Sequence, residues 1–194
     1  MKKYRQLFYK SSLNGKVVDN AISMWTWIFN MGTKNYSHTE RWYPDENGNF
    51  YTIEEGIVGE CQSSTMGQIR DKNAQAVNGV VRRPAKDVLT NFKNWDWCEV
   101  TVEDEDFAFA EKWAQFRLKN NLGYGKKDIA RFFMPAWLQK SLDLVDERWI
   151  CSEENCQFAI DCGVLKGNPL VSPRRLSSKY KKVVSQILPL EYYL

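Results

Sequence analysis

Apolar positions along the chain switch between two periods. Over residues 15–30, Ile22, Trp25 and Phe29 recur at i, i+3 and i+7, the spacing of one helical face, and predict a first helix. Short stretches rich in β-branched and aromatic residues follow at Tyr36–Tyr43, Phe50–Ile53, Ile57–Ser63, Gly79–Arg83 and Trp97–Val102, and predict strands. Asn47-Gly48 marks a turn between two of them. The helical period returns over residues 104–121, where Phe109, Trp113 and Phe116 share the apolar face. Acidic residues crowd the start of that segment, where the helix dipole favours them, and Gly123 would end it. Residues 127–147 read as helical or irregular, broken at Pro135. Residues 151–162 predict a helix that opens on a cysteine and is closed by Gly163. The tail, 168–194, has two early prolines and a basic stretch and is expected to wrap the surface. A helix, a run of strands, then helices is an α+β order.

Composition narrows the class. Hydrophobic residues make up 43% and aromatics 14% of the 194 residues, enough for a packed core and too much for a disordered chain. With no repeat, low-complexity tract or Gly/Ser linker, one domain over 1–194 is the economical reading, with a core at about 12–176 and a basic tail at 177–194. The net charge of +3 is too mild to argue for specific nucleic-acid binding. The basic doublets Arg82-Arg83, Lys126-Lys127, Arg174-Arg175 and Lys181-Lys182 read as solvated surface, or as a patch that attracts an anionic substrate or membrane surface. Residues 1–10 are basic and polar and do not resemble a secretory signal, and no apolar run reaches the length of a transmembrane segment. Cytoplasmic or virion-associated is the expected location. The five cysteines, an odd and scattered set without a C-x-x-C, suggest a reducing compartment and no metal or other cofactor.

Chemistry concentrates at two points. In Arg148–Cys162, RWICSEENCQFAIDC, an apolar lead-in meets Cys151 at the predicted start of a helix. There the free backbone N–H groups and the dipole favour a thiolate and can hold an oxyanion. A thiol nucleophile needs an imidazole partner, and the chain has one histidine, His38. On a strand, His38 and Glu40 point to the same face because side chains alternate. Glu40 is therefore one candidate to orient the imidazole. Glu60, in VGECQSS on a strand that could pair with the first, is the other.

The order YSHTE, GECQSS, GVVRRPA, GYGKKD, WICSEENC, VSPRRL resembles the circularly permuted papain-like hydrolases, the YiiX-like branch of the NlpC-type superfamily. In that branch the histidine strand precedes the cysteine helix. The resemblance covers roughly residues 12–176. It implies a papain-like fold, a small antiparallel sheet or partial barrel packed on helices, with Cys151 as nucleophile and His38 as base. It also implies that Tyr124 lies beside the nucleophile, its hydroxyl donating to the oxyanion. Where the family has an aspartate after that tyrosine, this chain has Gly125.

The implied activity is hydrolysis of an amide or ester through a thioester, as in an amidase or peptidase. Its substrate would be a peptide, a peptidoglycan-like or an acyl-containing molecule, with Trp42, Tyr43 and Trp149 available to line the site or to fill the core. The competing expectation is an inactive papain-like module used for binding or assembly, as in a phage protein.

Overall fold

The structure is a computed structural model that describes residues 1–10, 36–70, 76–120, 150–169, 171–184 and 186–192. The first predicted helix, the 127–147 segment, Tyr124 and Trp149 lie outside these residues.

Strands β1 (Lys2–Lys10), β2 (Tyr36–Tyr43), β3 (Tyr51–Thr52) and β4 (Gly56–Ile57) are followed by β5 (Glu60–Arg70) and β6 (Ala76–Pro84). Then come a short helix α1 (Ala85–Val88), strand β7 (Trp95–Val102) and helix α2 (Asp104–Asn120). Helices α3 (Cys151–Asp161) and α4 (Pro173–Tyr180) and a two-residue strand β8 (Leu188–Pro189) complete the order. Among the described residues, six strands form one sheet, β6-β5-β2-β1-β7-β8, with antiparallel pairing throughout. The fold is thus mixed α+β around an antiparallel sheet, and β3 and β4 make a separate hairpin. No helix among the described residues is long and apolar enough to cross a membrane.

The central strand β1 falls in the stretch that the sequence shows as basic and polar, where no strand is predicted. Its sequence, KKYRQLFYK, alternates, but both faces are buried because its polar residues find partners. Tyr4 and Phe8 meet Phe158 and Tyr180 on the helix-bearing face of the sheet. Leu7 joins Trp42, Phe50, Leu89 and Leu190 on the other. Arg5 lies over the rings of Trp42, Phe50 and Trp97, with its guanidinium carbon 5.2, 4.0 and 4.2 Å from their centroids, and that cation–π contact lets a charge occupy the core. Gln6 donates to the main-chain oxygens of Leu7 and Glu40. The tail also enters the core rather than only covering it. Ser172 caps α4, Pro173 takes its first turn, and Tyr180 and Leu190 are fully enclosed. Trp42 and Tyr43 are likewise core residues.

Helix α2 forms where its period predicts, but its apolar face points outward. Phe109, Trp113 and Phe116 are 54%, 44% and 52% exposed, while Ala110, Ala114 and Arg117 are buried. The reason is the polar layer that α2 covers. Arg41 and Glu154, both fully buried, pair at 2.9 Å, and Arg41 Nε donates to Tyr43 Oη at 2.6 Å. Gln62 donates to Glu154 and to the Ala114 carbonyl, and Arg82 donates to Gln62 and Glu111. Two alanines let the helix backbone come close enough to join this network. One turn at the edge of the sheet admits only glycine: Gly59 has φ +80°, and a Cβ there would lie 2.1 Å from the Tyr43 carbonyl oxygen.

The feature that makes room for a site is a split between β2 and β5. They pair over only three positions, Arg41↔Gln62, Trp42↔Cys61 and Tyr43↔Glu60. Beyond that the strands part, and the Thr39 carbonyl bonds to the Ser63 hydroxyl at 2.6 Å and the Asn155 amide at 3.2 Å. The start of α3 fills the seam.

Candidate active site

Cys151 is the first residue of α3. Ile150 before it is extended, at φ −88° and ψ 161°, and accepts the Glu154 N–H at 3.0 Å as the helix begins. By helix geometry the N–H groups of Cys151, Ser152 and Glu153 have no intrahelical acceptor. Three side chains pin this helix start. Ser152 donates to the Val171 carbonyl at 2.5 Å. Asn155, one turn on, donates to the Cys151 carbonyl at 2.8 Å and to Thr39 Oγ1 and O at 3.2 Å each. Glu154, facing inward, is held by Arg41.

His38 comes from β2, on the sheet face opposite α2, α3 and α4, and meets the thiol through the seam. The imidazole and the Cys151 thiol face each other closely enough for their charges to couple, with the Thr39 main chain beside the sulfur. His38 Nε2 is 2.9 Å from Glu40 Oε1, which leaves Nδ1 as the nitrogen for the thiol. The ring of Trp95 stands edge-on to the imidazole, centroids 6.3 Å apart. Cys151 is only 4% exposed and the His38 side chain 28% exposed, so approach to the pair is from the imidazole side.

The electrostatics single out one of five cysteines. Burial alone would push the Cys151 thiol up and the His38 imidazolium down. Their attraction for each other, with the Thr39 main chain beside the sulfur and Glu40 behind the ring, reverses both. The thiol falls below its ordinary value and His38 rises to about 10, the signature of a thiolate–imidazolium pair. The other cysteines go the other way. Burial pushes Cys61 and Cys98 far up, Cys156 to about 11 and Cys162 to about 12.

Between the two candidate acids the geometry is decisive. Glu40, 1% exposed, accepts from His38 and, on the same Oε1, from Arg83 Nη2 at 3.0 Å. Burial would raise its carboxyl, but these two cations hold it below the usual value. Glu60 does not orient the imidazole. It opens β5 opposite Tyr43, on the other face of the sheet from His38, and is exposed. Arg83 and the Thr39 main chain are the participants that sequence reasoning missed. The only sign of Arg83 was its doublet with Arg82, and on a strand such a doublet sends one side chain to each face. Arg82 goes to the α2 side and Arg83 to His38's side.

Among the described residues, no group of His, Cys, Asp and Glu side chains is arranged to hold a metal ion. No family model matches the chain, and no match is found among curated proteins or solved structures.

Proposed function

We propose that this domain is a cysteine-nucleophile hydrolase, with Cys151 as nucleophile, His38 as acid–base and Glu40 as the group that orients His38. The observation that carries the reading is the placing of Cys151 at a helix start beside the imidazole of His38, which is backed by a buried carboxylate 2.9 Å away. The order of histidine strand before cysteine helix, with a sheet packed on helices, supports the resemblance to the permuted papain-like enzymes.

In this scheme the Cys151 thiolate adds to the carbonyl carbon of an amide or ester, and the carbonyl electron pair moves to oxygen. Backbone N–H groups at the start of α3 hold that oxyanion. The C–N or C–O bond then breaks, the leaving group departs with the proton of the imidazolium, and a thioester remains. Water gives a proton to His38 and adds to the thioester, releasing the acid and restoring thiolate and imidazolium. Peptides, peptidoglycan-like or acyl-containing molecules are the substrate classes that follow from the resemblance.

An activated ester such as p-nitrophenyl acetate tests the nucleophile without knowledge of the natural substrate. The wild type should give a burst of nitrophenolate equal to the enzyme present. Cys151→Ala should give none, and His38→Ala should slow the burst at least about a hundredfold. An undiminished burst in Cys151→Ala would sink the assignment. The near-complete burial of Cys151 favours a second reading, an inactive module of the same fold. In that case iodoacetamide would label Cys151 no faster than the other four cysteines.

A further inference from the structure

We propose that Arg83 is a positioning residue of this site: it reaches across β5 to hold Glu40 behind His38, completing an alternating chain Cys151–His38–Glu40–Arg83. This rests on the thiol–imidazole reading above and adds the device that balances its charge.

The geometry is specific. Glu40 is on β2 and Arg83 on β6, with β5 between them. Spanning two strand spacings, about 10 Å, takes one of the long basic side chains. Arg83 starts opposite Cys61 and brings Nη2 to 3.0 Å from Glu40 Oε1, the same oxygen that His38 Nε2 approaches at 2.9 Å. Glu40 Oε2 is buried and has no hydrogen-bond partner among the described residues. The carboxylate therefore depends on the two donors at Oε1, and a buried carboxylate without compensation is costly. Arg83 itself is 26% exposed and keeps part of its guanidinium in water.

The charged and titratable groups around Glu40 can be taken element by element. His38 faces it from β2, Cys151 lies beyond from α3, and Arg83 approaches from β6. Cys61, from β5, is kept neutral by burial. Gln6, from β1, reaches only the Glu40 main-chain oxygen. With Arg83 present, the thiolate–imidazolium pair sits beside a neutralised carboxylate. Without it, the pair sits beside a bare anion, which opposes the thiolate and grips the imidazolium proton. Both ionisations then move to higher pH. Replacing Glu40 by Gln leaves Arg83 as an uncompensated cation, and both move to lower pH. The two substitutions act in opposite directions, which two merely structural partners of one hydrogen bond would not do.

The test uses the full chain. Thiolate formation at Cys151 is followed by the pH dependence of iodoacetamide alkylation. His38 is followed by NMR, where its Cε1–H resonance is unambiguous because it is the only histidine. Arg83→Met should move both titrations upward by on the order of one pH unit, slowing alkylation about tenfold on the acid side. Arg83→Gln, the milder change and the reserve should Arg83→Met not fold, should move them the same way. Arg83→Lys should stay near wild type, and Glu40→Gln should move both downward. Titrations unmoved in folded Arg83→Met or Arg83→Gln, beside a wild type with a low, His38-dependent thiol onset, would overturn the role of Arg83 alone. A wild-type onset like that of free cysteine, indifferent to His38→Ala, would overturn the thiol–imidazole reading beneath it.

Discussion

At the scale of single residues, the site is a contest between burial and charge. The same enclosure that makes four thiols inert would silence Cys151 too, were it not for the imidazole and the Thr39 N–H beside it. The candidate cysteine and histidine could be read from the chain because each is chemically conspicuous: the one histidine, and the one cysteine at a predicted helix start. The acid could not be chosen, because alternation along a strand allowed Glu40 while strand pairing allowed Glu60. Only register separates them, and register depends on contacts distant in sequence. Glu60→Gln should therefore leave the alkylation profile of Cys151 where it is. A shift as large as that of Glu40→Gln would place Glu60 in the site after all.

At the scale of elements, the strand at Tyr36–Tyr43, the strand ending at Val102 and the helices opening at Asp104 and Cys151 form where periodicity puts them. The predicted Ile57–Ser63 strand is split between β4 and β5, and the main failures share a cause. Strand β1 escaped notice because Arg5 and Gln6 look like surface residues until Trp42, Phe50, Trp97 and the carbonyls of neighbouring strands are in place. Helix α2 was found, but its orientation was not. Its large aromatics dominate the pattern, whereas the layer beneath it is polar and takes alanines. Tertiary partners override local hydrophobicity in both cases. The polar layer also tethers the helix of Cys151, since Glu154 is in the first turn of α3 and Arg41 is on the strand of His38. Glu154→Ala should destabilise the fold by about 3–5 kcal/mol, because it strands a buried guanidinium. Chemical denaturation measures this directly, and a loss under about 1 kcal/mol would mean that Arg41 finds other acceptors.

At the scale of the whole molecule, the site joins distant parts of the chain across the sheet. His38 comes from β2, Arg83 from β6 at the edge of the sheet among the described residues, and Cys151 from a helix late in the sequence. Both ends of the chain are built into the core that holds these elements in place, through β1 at one end and Tyr180 and Leu190 at the other. The seam between β2 and β5 is where those parts meet, so the site should appear only with the complete fold.

That seam makes Cys151 a built-in gauge of folding with an inverted scale. Buried cysteines gain reactivity when a protein opens, and Cys61, Cys98, Cys156 and Cys162 should do so. Cys151 should do the reverse at a pH between its lowered value and the ordinary thiol value of about 8.5. On the proposed pairing, the folded chain favours the thiolate, whereas in the unfolded chain, parted from His38, the thiol takes up a proton. Labelling below the ordinary thiol value across a urea titration, read by mass spectrometry, should show one cysteine fading as four emerge, with a shared midpoint if the domain unfolds as a unit. Five cysteines rising together would mean that the folded state does nothing to activate Cys151.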